Sequence, residues 1–423
     1  MLGRQKSAAA RAKKMHAAKI KQKANKVKPP KKRLALLSAA ETEAQSPTLT
    51  NIRKHGNDRT LVLVIIILVV FGLIMVFSAS APAASAYQGN PYHYIIRQAA
   101  FAVLGMISMF FISCIDYHKY GKFAFLILVG SFLLLLAVYI PGLGRVVNNA
   151  RRWVGYGVFS LQPSEVAKVA IIIYFAYSLS IVKDKIVKFK DGLLRYLIIL
   201  GLFSIVLIKE PHFSGTVVIC CTGMIMLLVA GARFWHFFIM GCGALAAGVF
   251  LIFSADYRME RLTAFLNPFA DPADTGFQVV NSLYAIGSGG IFGLGLGMSR
   301  QKFLYLPEPQ NDFIFAIICE ELGLLGAAAV IILFAVLIWK GYRIAQEAPD
   351  LFGSLLATGI TSLIAIQTVL NIAVVTSSVP VTGVALPFFS YGGTSLFILL
   401  SSMGILLNVS RQTVARPPDN LKK

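Results

Sequence analysis

The sequence predicts an all-α polytopic membrane protein with about ten transmembrane helices. Of its 423 residues, 57% are hydrophobic, and the mean hydropathy of +0.71 is well above that of soluble globular proteins. Ten apolar runs approach the roughly 20 residues that a helix needs to cross a bilayer. The chain also lacks the short alternating segments that are typical of a membrane β-barrel.

The predicted membrane domain covers residues 60–411, and each apolar run within it is expected to form one span. The spans lie at about 61–80, 95–115, 123–140, 164–182, 194–209, 214–231, 237–254, 312–339, 352–376 and 394–409. Their even number predicts that the two chain ends lie on the same side of the membrane.

A basic segment, residues 1–59, precedes the first span. It contains 16 Lys and Arg but 3 Asp and Glu, so it carries +13 of the formal net charge of +21. It has no apolar core of the kind found in a signal peptide. We therefore expect a disordered cytoplasmic tail on anionic lipid, with nucleic-acid binding as the less favoured alternative. A short second tail, 412–423, is also expected in the cytoplasm.

The distribution of Lys and Arg between the loops supports this orientation, because cytoplasmic loops carry the excess of positive charge. With the tail inside, the basic loops fall on the inner side: 116–122, 183–193, 232–236 and 340–351. The loops at about 141–163, 255–311 and 377–393 then face outward. The largest of these lies between the seventh and eighth helices, and together the three are expected to form the functional site.

Two features of the sequence argue against common types of functional site. The segment 287–297 is rich in glycine but apolar between its glycines, and no Walker lysine follows. It therefore indicates a re-entrant or surface-lying piece rather than a phosphate cradle. The five cysteines show no CxxC spacing, and no HxxxH or HExxH pattern is present, so we expect neither a disulfide framework nor a metal cage built by the protein.

A charged pair opens the fourth predicted span. Gln162, a proline and Ser164 form a helix start, and Glu165 and Lys168 follow three residues apart on one helix face. Charges within a membrane span are costly and invite a functional interpretation. The pair could contact an anionic lipid headgroup, or it could be a structural ion pair that positions the helix.

Arg151, Arg152 and Trp153 precede that helix in an outer loop, where positive charge runs against the usual bias. Paired guanidinium groups could bind a pyrophosphate, with the tryptophan packing at the membrane interface. Snorkelling side chains that anchor the loop at the interface are the alternative.

Carboxylates cluster around the eighth span. Glu308 and Asp312 are predicted at its outer mouth, and Glu320 lies deeper by roughly 12 Å if the segment is helical. A carboxylate buried at that depth must be paired or neutral. Lys168 or an asparagine of another span is the expected partner of Glu320, and for both Glu320 and Glu321 we favour a structural role.

Polar residues also mark the last two spans. Asn371 lies in an apolar run and is expected to hydrogen-bond across helices. Ser390, Gly392 and Gly393 belong to an outer turn that opens the final helix, where free N–H groups could bind an anion. Simple helix capping explains the same residues equally well. His212, at a junction between spans, is interpreted as a hydrogen-bonded structural residue.

The acidic stretch of the largest outer loop contains Asp271 and Asp274 among turn-forming residues. An exposed carboxylate here would be ionised and able to accept a proton, and a general base needs reach before it needs a tuned pKa. The residues themselves do not rank the two aspartates. Solvated turn residues are the plain alternative.

Five separated motifs resemble the SEDS family (shape, elongation, division and sporulation proteins) in family order over residues 60–411. They are Gly142…Asn149-Ala-Arg-Arg-Trp153, Gln162-Pro-Ser-Glu165…Lys168, Asn267-Pro…Asp271-Pro…Gly276-Phe-Gln278, Pro307-Glu…Asp312-Phe-Ile-Phe315…Glu320-Glu-Leu-Gly323 and Leu386-Pro…Ser390-Tyr-Gly-Gly393. The last three, and the ending Leu407-Asn-Val-Ser-Arg411, are most similar to members that act in division and sporulation, and less similar to elongation members.

The resemblance implies a ten-helix peptidoglycan glycosyltransferase that polymerises lipid II, a disaccharide-peptide on undecaprenyl pyrophosphate. It implies a class B penicillin-binding protein and other division proteins as partners, and the septal membrane as the location. The family's catalytic aspartate matches Asp271, which is the reason to rank it over Asp274. The family's functional Glu and Lys match Glu165 and Lys168. One departure is His212, where the family commonly has aspartate, and another is Asn311, where threonine is common.

Three functions follow as hypotheses. The first is a polymerase in which Asp271 is the base and Arg151, Arg152 and Lys168 offset the charge of the leaving pyrophosphate, with or without a divalent cation such as Mg²⁺ or Mn²⁺. The second is a lipid II flippase, which polar residues within spans would also suit. The third is a scaffold that activates the penicillin-binding partner. The outer position of most of the unusual polar residues favours the polymerase.

Overall fold

The computed structural model describes residues 58–147, 150–156, 159–182, 186–210, 212–238, 241, 265–272 and 276–413. The chain divides into two units, Met1–Ile52 and Arg53–Lys423, and every described residue belongs to the second. Residues 1–57 of the predicted basic tail, residues 414–423 and most of the predicted span 237–254 lie outside the described residues. The same is true of Asp274.

Ten α-helices are described, and nine of them match predicted spans. They are α1 Arg59–Gln88, α2 His93–Cys114, α3 His118–Ala137, α4 Pro163–Val182, α5 Leu194–Lys209, α6 Phe213–Val229, α7 Phe277–Gly289, α8 Ile314–Glu347, α9 Leu351–Val375 and α10 Gly393–Arg411. Seven are long and apolar enough to cross a membrane, and α6 is a shorter apolar helix. The predicted class, a multi-pass α-helical membrane protein, is confirmed.

The helices extend further into the loops than hydropathy predicts. Helix α3 begins at His118 instead of residue 123, so the basic residues predicted in a loop form its first turn. Asp116 accepts the backbone N–H of His118 at 3.0 Å and so satisfies one of the free donors at the helix start. Helix α8 likewise continues to Glu347. Hydropathy marks where a chain leaves the lipid, whereas a helix with a solvated or capped end continues beyond that point.

Small residues allow the helices of the core to approach closely. Helix α2 packs along α10, where a Cβ on Gly404 would lie 2.6 Å from the carbonyl oxygen of Met109. Ser108 and Ser401 share a hydrogen bond of 2.8 Å across the same interface. Between membrane helices, such contacts and hydrogen bonds drive association because lipid is as apolar as the side chains.

A three-stranded antiparallel sheet, which the sequence analysis did not predict, occupies the loop between α3 and α4. Its strands β1 Gly144–Val147, β2 Ala150–Tyr156 and β3 Phe159–Leu161 lie in sequential order. Val154 pairs with Gly144 on one side and with Leu161 on the other. The sheet leads directly into Pro163, the first residue of α4, so it holds the arginines of β2 at the start of that helix.

The loop predicted at 255–311 contains helix α7 and a glycine-rich segment that pairs with a break in α8. Gly323 interrupts α8 with a positive φ of 63°. Around the break, the N–H of Leu294 donates to the Glu320 carbonyl at 3.0 Å, and the N–H of Leu324 donates to the Gly290 carbonyl at 2.9 Å. Non-helical backbone at such a position needs partners of this kind. The glycine-rich segment therefore completes the backbone hydrogen bonding of α8.

Candidate active site

The ion pair predicted at the start of α4 is present. Lys168 Nζ lies 2.7 Å from Glu165 Oε1, and the lysine side chain is almost fully buried. One turn earlier, the Glu165 N–H donates to the Gln162 carbonyl at 3.1 Å. Ser164 is buried, and its hydroxyl has no hydrogen-bond partner within the described part of the chain. The helix start thus carries a buried cation, its carboxylate partner and an unpaired hydroxyl.

Strand β2 brings its arginines to the end of α5. Arg152 is partly buried, and its Nε donates to the backbone carbonyl of Glu210 at 3.3 Å. Arg151 is exposed, and Trp153 is half-buried opposite Arg145 in the sheet. Arg152 therefore contacts the end of α5, whereas Arg151 is exposed.

Glu210 and His212, at the junction of α5 and α6, lie in the same neighbourhood. They are 2% and 8% exposed. Burial raises the pKa of Glu210 to about 8, against the opposing charge of Arg152. Burial also lowers the pKa of His212 to about 3, and the charges of Arg152 and Lys168 act in the same direction. Both side chains are therefore uncharged at neutral pH. Because the charges of Arg152 and Lys168 act on His212, the strand β2, the start of α4 and this junction lie close together.

The sequence analysis gave His212 a structural, hydrogen-bonded role and did not single out Glu210. In the structure, His212 Nδ1 and Glu210 Oε1 are buried without a hydrogen-bond partner among the described residues. The backbone of His212 is well held, since its N–H donates to the Leu207 carbonyl at 2.9 Å. The available sequence signal was His212 itself, which stands where the resembled family commonly has aspartate. That departure does not predict that the side chains of Glu210 and His212 are buried.

The loop 377–393 joins this neighbourhood to the start of α8. Ser214 Oγ donates to the Gly383 carbonyl at 3.4 Å, and a Cβ on Gly383 would lie 3.6 Å from Asp312 Oδ2. Asn371 is fully buried, and its Nδ2 donates at 2.7 Å to the carbonyls of both Asp312 and Val384. Asn371 was predicted to hydrogen-bond across helices; it bonds instead to two backbone carbonyls outside the helices, and these bonds hold the loop against the start of α8.

Asp312 and Glu308 form the acidic side of this region. Burial raises the pKa of Asp312 to about 6, and the negative charge of Glu308 adds to the effect. Glu308 Oε2 accepts a hydrogen bond from Asn311 Nδ2 at 2.7 Å. Asp312 is thus protonated more readily than an ordinary aspartate, although it is mostly ionised at pH 7.

The turn that opens α10 uses its polar groups within the protein. Ser390 Oγ accepts the N–H of Leu386 at 2.7 Å, and the Gly392 N–H donates to Gln98 Oε1 at 3.1 Å. Gln98 Nε2 in turn donates to the Ser390 carbonyl at 3.2 Å. A Cβ on Gly393 would lie 2.2 Å from the ring of Phe101. These contacts fasten the turn to α2, and the anion-binding role of Ser390, Gly392 and Gly393 stays a prediction.

Asp271 follows a short 3-10 turn, Pro268–Ala270, and is exposed. Its backbone carbonyl accepts the N–H of Gly276 at 3.0 Å, and Gly276 directly precedes α7. A Cβ on Gly276 would lie 2.1 Å from the Pro268 carbonyl oxygen, so only glycine allows this close turn. The aspartate therefore lies on a tightly folded support beside α7, with its side chain at the surface.

The partner predicted for Glu320 was wrong. In place of Lys168 or an asparagine, Glu320 accepts the N–H of Arg300 at 2.9 Å and the hydroxyl of Ser299. Its neighbour Glu321 pairs through Oε1 with Lys302 at 2.8 Å. These contacts hold the segment before α8 to the helix break. The error arose because the loop that follows the glycine-rich segment folds back on α8, and the sequence does not show this return.

Within the described residues, no group of three or more His, Cys, Asp or Glu side chains could hold a metal ion. Magnesium commonly binds through one or two carboxylates together with substrate phosphates.

Comparison with known proteins identifies the family to which this chain is similar. The profile of the FtsW/RodA/SpoVE family, described as a cell cycle protein, matches residues 58–415. The chain is 49% identical over 360 residues to stage V sporulation protein E of Bacillus subtilis, which covers 85% of this chain and 98% of that protein. It is 42% identical over 358 residues to a probable peptidoglycan glycosyltransferase FtsW of Geobacter sp. strain M18, with coverage of 85% and 98%.

Solved structures agree. One chain comes from a peptidoglycan synthase complex studied for its coordination of polymerization and crosslinking; it aligns with a TM-score of 0.69 at 25% identity, over 84% of this chain and 98% of that one. The rod shape determining protein RodA of Thermus thermophilus aligns with a TM-score of 0.63 at 25% identity, over 85% and 98%. With its matching profile and its closely similar relatives, this chain belongs to the FtsW/RodA/SpoVE family of cell cycle proteins.

Proposed function

We propose that this chain is a peptidoglycan glycosyltransferase that polymerises lipid II at the outer face of the cytoplasmic membrane during cell division. The observation that carries the proposal is the convergence of Arg152, Lys168 and the α5–α6 junction on one buried polar region. Such a region suits the phosphate-bearing end of a lipid-linked sugar. The names of the similar relatives support the same reaction.

In the reaction, Asp271 accepts the proton of the 4-hydroxyl group of the acceptor sugar. The hydroxyl oxygen attacks the anomeric carbon of the donor, a new glycosidic bond forms, and undecaprenyl pyrophosphate leaves with the electrons of the broken bond. Negative charge collects on the leaving group. Arg151, Arg152 and Lys168 offset that charge, and Trp153 and Gln162 are proposed to contact the substrate beside them. The exposed position of Asp271 gives the base the reach that this step requires.

Further predicted site residues are proposed to support this chemistry. Asp312, Glu308 and Asn371 shape the side of the region next to the loop 377–393. Glu165 holds the Lys168 ammonium in place, and Ser164 offers its hydroxyl to the substrate.

The proposed partner is a class B penicillin-binding protein, which would crosslink the strands that this chain makes, together with other division proteins. The fold shared with a chain of a solved peptidoglycan synthase complex supports such an assembly. Both chain ends are proposed to lie in the cytoplasm and the protein to work at the division septum, as the basic tail and the resemblance to division members indicate.

The test is gel analysis of glycan strands made from lipid II by the purified chain with and without its partner. Asp271→Asn should lower polymer formation at least about 100-fold, the usual scale for a lost general base. Asp116→Asn is the matched control, because it makes the same change at an exposed aspartate next to α3. Retained synthesis by Asp271→Asn would overturn the assignment of the base. Lipid II flipping in proteoliposomes without any polymer from the wild type would favour the flippase instead.

A further inference from the structure

Two buried side chains next to the basic groups have polar atoms that the protein does not satisfy. Glu210 Oε1 and His212 Nδ1 have no hydrogen-bond partner in the described part of the chain, and both residues are more than nine-tenths buried. Buried polar atoms in native proteins are nearly always paired, with protein or with something bound. These two unpaired atoms belong to residues only two positions apart. They therefore indicate that a bound polar ligand supplies their hydrogen-bond partners.

The charges around the pair select the kind of ligand. Arg152 of β2 and Lys168 of α4 both act on His212, and Arg152 also acts on Glu210. Glu165 balances Lys168, and Tyr139, just after α3, also lies within the electrostatic reach of Glu210. With Glu210 and His212 uncharged, the field at the pair is positive. A cation is disfavoured there, and an anion is attracted.

We propose that Glu210 and His212 form a phosphate-binding subsite, in which the protonated carboxyl of Glu210 and the Nδ1–H of a neutral His212 both donate to a phosphoryl oxygen. The inference rests on the proposed function, because the pyrophosphate of the lipid-linked substrate is the phosphate that reaches this region. The two side chains bind the phosphate and take no part in proton transfer at the sugar.

Glu210 makes the subsite sensitive to pH. Only the protonated carboxyl can donate, and an ionised carboxylate would repel the phosphate. With a pKa of about 8, roughly nine-tenths of the protein is competent at pH 7 and roughly one-tenth at pH 9. Affinity for the phosphate should then fall about ten-fold over this interval. His212 stays neutral throughout, because its pKa is lowered to about 3.

The experiment measures equilibrium binding without turnover. The full chain is placed in lipid nanodiscs, and binding of radiolabelled undecaprenyl pyrophosphate is measured from pH 6.5 to 9.5, with empty nanodiscs subtracted. Undecaprenol reports the lipid tail alone, and inorganic pyrophosphate reports the headgroup alone. The variants are Glu210→Gln, Glu210→Ala and His212→Ala. Glu347→Gln is the matched control, since it makes the same change at an exposed ion pair of α8.

The wild type should lose about ten-fold in affinity for undecaprenyl pyrophosphate between pH 7 and pH 9. Glu210→Gln keeps a donor at every pH, so it should bind well at pH 9, and its profile also reports any change in the ionisation of the ligand. Glu210→Ala and His212→Ala should bind at least about ten-fold more weakly at pH 7. Undecaprenol binding should not change in any variant, and Glu347→Gln should follow the wild type.

Superimposable pH profiles for the wild type and Glu210→Gln, or wild-type affinity in Glu210→Ala, would overturn the inference. Equal affinity for inorganic pyrophosphate would identify free phosphate as the ligand source. Failure of the proposed function would appear in a different assay, as the absence of glycan polymer from the wild type. The binding measurement does not depend on turnover, so the two failures can be distinguished. Normal polymerisation with no effect of these variants on binding would remove the subsite and leave the function intact.

Discussion

Replacement of Lys302 by methionine tests the account of the buried ion pair beside the break in α8. The Lys302 Nζ lies 2.8 Å from Glu321 Oε1, 2.6 Å from the Gly297 carbonyl and 3.1 Å from Ser78 Oγ. The lysine is 4% exposed and Glu321 is fully buried. Methionine fills most of the volume of the lysine stem but removes all three contacts and leaves a buried carboxylate without its cation.

The expected cost is about 3–5 kcal/mol, the usual range when one partner of a buried pair is removed. The lower half of that range applies, because Glu321 keeps hydrogen bonds from Ser78 Oγ at 2.7 Å and from the Gly297 N–H at 3.0 Å. A second change, Glu321→Gln, removes the uncompensated charge and keeps hydrogen-bonding capacity. The double variant should therefore recover at least half of the loss.

The assay is equilibrium unfolding of the purified chain in mixed micelles, with the two single variants and the double variant forming a thermodynamic cycle. Arg343→Met is the control, because its pair with Glu347 on α8 is exposed and should not affect the unfolding midpoint measurably. A Lys302→Met variant as stable as the control would refute the reasoning. So would single-variant effects that simply add in the double variant, since additivity means that the two side chains do not interact.

Two further predictions concern the break in α8 and the acidic residue before it. Gly323→Ala should destabilise the fold strongly, because a Cβ there would lie 2.4 Å from the Gly293 nitrogen and the backbone has a positive φ of 63°. Circular dichroism and thermal aggregation in detergent would measure the loss. An unchanged unfolding midpoint would contradict the close packing. Burial raises the folded pKa of Asp312 to about 6, above its unfolded value of 3.8, so the unfolding free energy should decrease as the pH rises from about 4 to about 6. The contribution of Asp312 should be on the order of 3 kcal/mol, and Asp312→Asn should remove that part of the pH dependence while the part due to Glu210 stays; a wild-type profile in that variant would count against the assignment.

Contacts between residues close in sequence could be predicted. Glu165 and Lys168 pair as expected because three residues of helix place them on one face whatever the surrounding fold. The apolar runs likewise identified nine of the described helices, since the thickness of a bilayer sets their length. Their ends were less well placed, as α3 shows, because capping by Asp116 is a local polar contact that hydropathy does not report.

Contacts across the fold could not be predicted in the same way. Lys302 lies in a loop that the sequence predicts on the outer side, and only the return of that loop onto α8 brings it to Glu321. The engagement of the Gly392 N–H by Gln98 also depends on the packing of α10 against α2. In both cases the donor and the acceptor belong to separate segments of the chain. The spacing of hydrophobic residues does not predict how such segments lie relative to each other.

The sequence by itself determined the membrane class, most of the spans, the local ion pair on α4 and the residue types of the candidate site, because these follow from composition, period and motifs. Only the tertiary structure decided which partners the buried charges take and where polar atoms are left unpaired. Glu210 and His212 show the difference most clearly. Their types are visible in the chain, but their burial beside Arg152 and Lys168, and hence their uncharged state, arises from the packing of β2 and α4 against the α5–α6 junction.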